Sequence, residues 1–206
     1  DGDAGDWDPL LQLATSNVAT DATPASLSQL YVAFDADTLY IGIVGLCDTD
    51  GSVVAYLDVD YGAGTGVANT EDLSDNSGSL DDAISGTLQI TDGGFGAEFA
   101  VGTVGMASVT DTIDDAAGLR GLTPTNDLPW LDSTVTTGTD FIEIAIPLAT
   151  LWPGGVPQTG VTMAMVVKLL KDSFGVDYSN QTLPEDAGTD TVAAVATVNV
   201  YPAGTY

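Results

Sequence analysis

The chain has 206 residues, of which 30 are acidic, 3 are basic and none is histidine, for a formal charge of −27. Such a charge repels phosphate backbones and anionic lipid, so nucleic acid and membrane surfaces are disfavoured partners, while cations and neutral ligands are not. Without histidine there is no Ser-His or Cys-His catalysis and no His-ligated haem, and zinc or copper is a poor guest; neither haem nor nucleotide is expected.

The acid is nearly all aspartate, since glutamate occurs only at Glu71, Glu98, Glu143 and Glu185. Aspartate suits turns, where its short side chain caps the backbone, and hard-cation sites built from loops. Salt adaptation also produces acidity, although 16% charged residues is mild for it. The lone cysteine, Cys47, ends an apolar stretch and reads as a small buried hydrophobe. With 44% hydrophobic residues the chain is long enough to form one packed domain over 1–206. No apolar run reaches the roughly 20 residues of a membrane span. The absence of a start methionine and signal peptide suggests a processed, exported chain, hence an extracellular or cell-surface location.

In chain order, the opening DGDAGDWDP surrounds Trp7 with Asp1, Asp3, Asp6 and Asp8. We read it as an edge anchor: Trp7 plugs the end of the fold while the aspartates make turns, or else wrap a cation. LSQLYVAF and TLYIGIVG form a hairpin around Asp35–Thr38. Cys47-Asp48-Thr49-Asp50-Gly51 reads as another hairpin turn, leading into SVVAYLDVD at 52–60. After a long loop from Tyr61 to about Asp82, GTLQIT at 86–91 and GAEFAVGTVGM at 96–106 are expected to pair around Asp92-Gly93-Gly94. SLDDAIS and DTIDDAAGLRGL each suggest a helical turn, and PLATLW a helical corner. STVTTGT at 133–139 reads as a Thr-rich loop. FIEIAIP places Ile142, Ile144 and Ile146 on one face, and VTMAMVVKLL at 161–170 is apolar on both faces, as in a central covered strand. TVAAVATVNVY at 191–201 reads as a single closing strand. About eight or more strands without alternating helices make an all-β, antiparallel β-sandwich of jelly-roll or immunoglobulin-like type, with short helical turns.

Five segments in order, DGD…DW, LYVAFDADTLYIGI, VVAYLDVDYGAGTG, GAEFAV and FIEIAIPLATL, resemble the family-nine carbohydrate-binding modules and their DOMON-like β-sandwich relatives, from Asp1 to about Leu151. The resemblance implies two packed antiparallel sheets, secretion, calcium bound in loops and no catalysis. In sugar-binding members aromatic side chains sandwich the sugar, and Trp7 lies in a motif that belongs to the fold. Trp130 and Trp152 are then the candidate ligand-binding aromatics.

Asp58 and Asp60 are the best candidate calcium ligands. Two-residue spacing on a strand puts both carboxylates on one face about 7 Å apart, and the following glycines let the loop curl back. That loop also offers Glu71 and Asp72, with Asp75, Asp81 and Asp82 behind them. A solvated acidic loop is the alternative. Asp1 and Asp3 form a second candidate set. Glu98 and Glu143 lie in apolar strands and are read as outward-facing residues rather than a glycosidase pair. Lys168 and Lys171 bracket the end of the central strand as neutralisers of acidic neighbours, and Asn180-Gln181-Thr182 is a candidate glycosylation site.

The function expected is that of a non-catalytic structural or adhesive protein whose partners are copies of itself. Assembly into a filament or surface array proceeds by exchange of a terminal strand, either TVAAVATVNVY or LLQLATSNVAT, with calcium as stabiliser. The alternative is a carbohydrate-binding module for a neutral polysaccharide.

Overall fold

A computed structural model describes residues 2–73, 78–110, 115–122, 128–157, 159–172, 177–186 and 188–202. Strands β1 (Gln12–Thr15), β2 (Ser26–Phe34), β3 (Thr38–Leu46) and β4 (Ser52–Asp58) come first. Helix α1 (Ser79–Ile84) precedes β5 (Gln89–Ile90), β6 (Phe99–Val104), β7 (Val109–Thr110), β8 (Ala117–Gly121), β9 (Trp130–Leu131), β10 (Thr134–Thr137) and β11 (Phe141–Pro147). Helix α2 (Leu148–Leu151) leads to β12 (Val161–Leu170), β13 (Tyr178–Leu183), β14 (Thr191–Val192) and β15 (Ala196–Val200). They form two large antiparallel sheets. One has six strands in the order β1-β2-β3-β11-β10-β7; the other has seven, β13-β12-β4-β6-β8-β9 with β15 also on β12. The architecture is the all-β sandwich expected.

Side-chain alternation explains how the sheets meet. Leu39, Ile41, Ile43, Ile142, Ile144 and Ile146 point inward from the six-stranded sheet, opposite Val53, Leu57, Val101, Met163, Met165 and Val167 of the other. The β2–β3 turn forms where expected, with Asp35 Oδ1 accepting the amides of Asp37 and Thr38 at 2.8 and 2.7 Å. Cys47 is buried as predicted, and burial pushes its thiol up to about 12.

The seven-stranded sheet is covered on its second face too. Val54, Tyr56, Ala100, Ala164 and Val166 pack beneath Leu80, Ala83 and Ile84 of α1, the loop residues Val67, Leu88 and Phe95, and Val192 of β14. This double burial is why β12 carries apolar residues at both parities. Two of the three basic residues lie in the same layer. Arg120 Nε donates to Asp81 Oδ1 at 2.5 Å with the guanidinium against the Trp130 ring, and Lys168 Nζ donates to Gly188 O at 3.1 Å. Lys171 instead bridges Asp21 and Asp177 at 3.2 and 3.0 Å, the neutralising role expected of it.

Several expectations need correction. The segments 86–91 and 96–106 do not form a hairpin: β5 pairs in parallel with β14, while β6 pairs with β4 and β8. Both partners of β6 are strands buried along their whole length, and burial there outweighs the local turn signal. AGLRG is strand β8 rather than helix, with Gly118 at φ 130°. The turn after Cys47 crosses from β3 in one sheet to β4 in the other, so it is not a hairpin. The stretch 191–201 splits into β14 and β15, and the Thr-rich segment is strand β10, paired with β11.

Trp7 lies against the outer face of the six-stranded sheet rather than at its end. Its ring meets Tyr31 and Phe141 at centroid distances of 5.9 and 6.0 Å. It occupies the space above Gly42, where a Cβ would lie 2.9 Å from the indole. Asp3 and Asp8 cap the two short turns flanking it by accepting the amides of Gly5 and Leu10, so these aspartates do serve turns.

Candidate metal centre

β4 brings Asp58 to the end of the seven-stranded sheet, opposite Ala164 of β12, and leaves the residue 2% exposed. Its two oxygens accept the amides of Asp60 at 3.0 Å and Gly96 at 2.9 Å. The chain then curls through residues 61–66 and returns against the segment before β6. The contact there is close enough to require glycine on both sides. A Cβ on Gly66, which has φ 73°, would lie 2.3 Å from the Gly96 carbonyl oxygen, and one on Gly96 would lie 1.7 Å from that of Thr65. The approach is locked by reciprocal hydrogen bonds between Val67 and Ala97, each 2.9 Å.

This return carries Glu98 into the site. Glu98 Oε2 accepts the Val59 amide at 3.0 Å. The Thr65 hydroxyl stands 2.6 Å from Glu98 Oε1 and 2.8 Å from Asp60 Oδ1, and its one proton serves only one of them at a time. One carboxylate oxygen from each of Asp58, Asp60 and Glu98 lies within 4.8 Å of the other two, with Asp58 buried and the others half-buried. Burial raises the Asp58 pKa against the lowering effect of the Gly96 and Asp60 amides, and the charges of Asp60 and Asp92 raise it further. Burial likewise raises Glu98, followed by the Thr65 and Val59 hydrogen bonds, which lower it, and the charges of Asp60 and Asp58, which raise it. Three crowded carboxylates make a hard, all-oxygen donor set of the kind that suits calcium, magnesium or manganese rather than a thiophilic ion.

Asp58 and Asp60 are therefore brought together, but not along a strand as expected: β4 ends at Asp58, and Asp60 follows in a bend whose amide binds Asp58 Oδ1. Glu98 is the third member in place of Glu71 and Asp72. Those two occupy an exposed turn capped by Asn69 and are not in the cluster. Asp81 faces Arg120 instead. Asp3 caps its own turn, and Asp1 and Asp75 lie outside the described residues. No sequence signal marked Glu98 as a ligand, because its place beside Asp58 follows from the β4–β6 pairing. Glu143 lies on the other sheet, where Glu143 Oε2 accepts the Gly2 amide at 3.2 Å.

Trp130 and Trp152 do not form a facing pair. Trp130 is half-buried over Arg120, whereas Trp152 is buried at the end of α2 in the inter-sheet core. Asn180 is in β13, where its side-chain Nδ2 donates to Ala19 O at 3.0 Å and its Oδ1 accepts the Asp21 amide at 3.2 Å. No helix among the described residues is long and apolar enough to cross a membrane.

Comparison with protein-family models finds none that matches the chain, and comparison with curated proteins finds no match either.

Proposed function

We propose that this chain is a non-catalytic, extracellular structural protein that assembles with copies of itself into a filament or surface array, with calcium at Asp58, Asp60 and Glu98 stiffening each unit. The observation that carries this reading is a strand edge built from segments without charged side chains, on a chain of charge −27. Residues 10–20, 144–167 and 191–202 contain no charged side chain. These stretches supply β1, the first half of β12 and β15, and β1 contacts β15 while β15 pairs with β12. The large exposed hydrophobic side chains among the described residues are Leu10, Leu11 and Tyr201, directly before β1 and directly after β15. Depletion of charge together with exposed apolar groups is what a protein–protein contact needs, and an acidic protein can approach its own copy most cheaply there.

Electron microscopy and sedimentation at high protein concentration, with millimolar calcium or with chelator, test the reading. Ordered polymers are expected; a monodisperse monomer in both conditions overturns it. Calcium is expected to raise the melting temperature, by an amount worth about 2.7 kcal/mol at a hundredfold excess over its dissociation constant. Asp60→Asn should abolish that gain, and an identical melt in calcium and chelator would remove calcium from the proposal.

The carbohydrate-binding alternative is favoured by a different observation. A shallow cleft of about 260 Å³ on the outer face of the six-stranded sheet is lined by Tyr40, Thr134, Thr136, Glu143 and Ala145. An aromatic ring with hydroxyls and a carboxylate around it matches the chemistry of a neutral sugar. A glycan-binding screen with Tyr40→Ala as control decides it.

A further inference from the structure

The outer edge of β12 is shared between two strands. Val167, Lys168 and Leu170 pair with β13, whereas the run from Val161 to Met165 pairs with β15 in the register Val161↔Val200 through Met165↔Ala196. β15 fits this seat residue by residue. Ala196 and Val200 are buried and Val198 packs beside them in the inter-sheet core, while Thr197 and Asn199 face outward. Beyond the strand, the Tyr201 ring stands over Gly160, where a Cβ would lie 2.5 Å from it, and Pro202 joins Pro147, Leu148, Trp152 and Val156 around a groove of about 450 Å³.

The attachment of β15 is nevertheless one-sided. Among the described strands it pairs only with β12, and its departure leaves the β12–β4 and β12–β13 ladders intact. The chain before it is held elsewhere: β14 pairs with β5, and Asp186 Oδ2 accepts the amides of Ala193 and Ala194 at 2.8 and 2.9 Å. The clamp reaches Ala194, so a single residue, Val195, joins the clamped segment to a strand that is replaceable as a unit. Short hinges of this sort favour exchange of the following element between copies.

We propose that residues 196–202 are exchanged between copies of this chain, so that β15 of one molecule fills the β12 seat of the next. The proposal rests on the self-assembly reading above and names the contact that builds the polymer. A second copy is the occupant because the seat is already shaped to this segment, so the exchanged strand repeats the contacts it makes within its own chain. Neither the strand nor Val161–Met165 carries charge that would oppose the approach. A head-to-tail exchange need not close on itself, and therefore propagates. The choice between the two terminal donors falls on β15: β1 carries a bulged register on β2 and has only half-buried apolar side chains, whereas β15 fills the core.

Thr162 and Asn199 are paired across this ladder, with Thr162 Oγ1 and Asn199 Oδ1 3.0 Å apart. A T162C/N199C chain can therefore close a disulfide, and opposite positions of an antiparallel pair lie within disulfide reach. Oxidised in the assembled state, it should run as a covalent ladder of dimers and higher species on a non-reducing gel. Cys47 is buried and its thiol is pushed up to about 12, so it stays out of this chemistry. As a second measurement, T162C and N199C chains unfolded and refolded together, then assembled and oxidised, should give a mixed dimer that neither gives alone. Polymers in which every disulfide is intrachain, with no mixed dimer, would overturn the exchange while leaving assembly standing. Protein that never leaves the monomer overturns both.

Discussion

The outer face of the seven-stranded sheet is covered by α1 and a set of loops, whereas the outer face of the six-stranded sheet is crossed near Gly42 by Trp7 and presents Tyr40, Thr136 and Glu143 at half-buried positions. The covered face contains Arg120 and Lys168, both fully buried, and the open face contains none of the three basic residues. A buried cation is costly unless its layer supplies partners, so the covering loops must be specifically organised. The open face needs only alternation, and is free to vary or to bind. Stability should therefore be sensitive to polar substitutions on one outer face and tolerant on the other.

The largest effect is expected at Arg120. Arg120→Met leaves Asp81 buried beside an apolar side chain, which should cost about 3–5 kcal/mol. For a chain of this size that lowers the melting temperature by about 10 °C in thermal unfolding. Adding Asp81→Leu should recover most of the loss, and a single variant that melts like the parent would break the comparison.

Next comes Lys168, whose ammonium burial pushes down to about 8 from 10.5, against the raising effect of Asp186, Asp21 and Asp190. The folded protein releases this proton before the unfolded chain does. Between those values the unfolded state binds more protons, so this residue's contribution to stability rises with pH and is flat below them. The unfolding free energy of the parent minus that of Lys168→Met, from denaturant titrations, should climb through that window by up to about 3 kcal/mol. A constant difference would show that Lys168 titrates normally.

On the open face, Trp7→Ala removes a half-buried ring from Tyr31 and Phe141 and should cost about 1–2 kcal/mol, measured by urea unfolding. A loss as large as that at Arg120 would mean that Trp7 holds more than the surface above Gly42. Smallest of all is Thr136→Ala, expected to change stability by less than about 0.5 kcal/mol.

Much of this contrast was legible in the residues. FIEIAIP alternates and so lies between solvent and core, while VTMAMVVKLL does not alternate and so is covered twice. What covers β12 was not legible. The β5–β14 pair joins segments a hundred residues apart, and two-residue strands carry no periodicity. AGLRG reads as helical because its neighbours are acidic and small; pairing with β6 and β9 makes it a strand. Trp7 reads as an anchor in the sequence, but its seat does not, since Gly42 becomes a landing place only when β2, β3 and β11 lie side by side.

The candidate metal centre divides in the same way. Asp58-Val59-Asp60 brings two carboxylates together over a few residues, through the bend in which Asp58 Oδ1 accepts the Asp60 amide, and the glycines that follow let the chain turn back. Hydrophobic alternation, turn chemistry and charge act over a few residues, so the all-β class, the β2–β3 hairpin and the Asp58/Asp60 pair were settled by the sequence itself. The third carboxylate, the two buried cations, the separation of Trp130 from Trp152 and the sharing of the β12 edge depend on which strands pair. That was decided by the tertiary structure, because burying both faces of the longest apolar strands outweighs local preference over distances that sequence spacing does not encode.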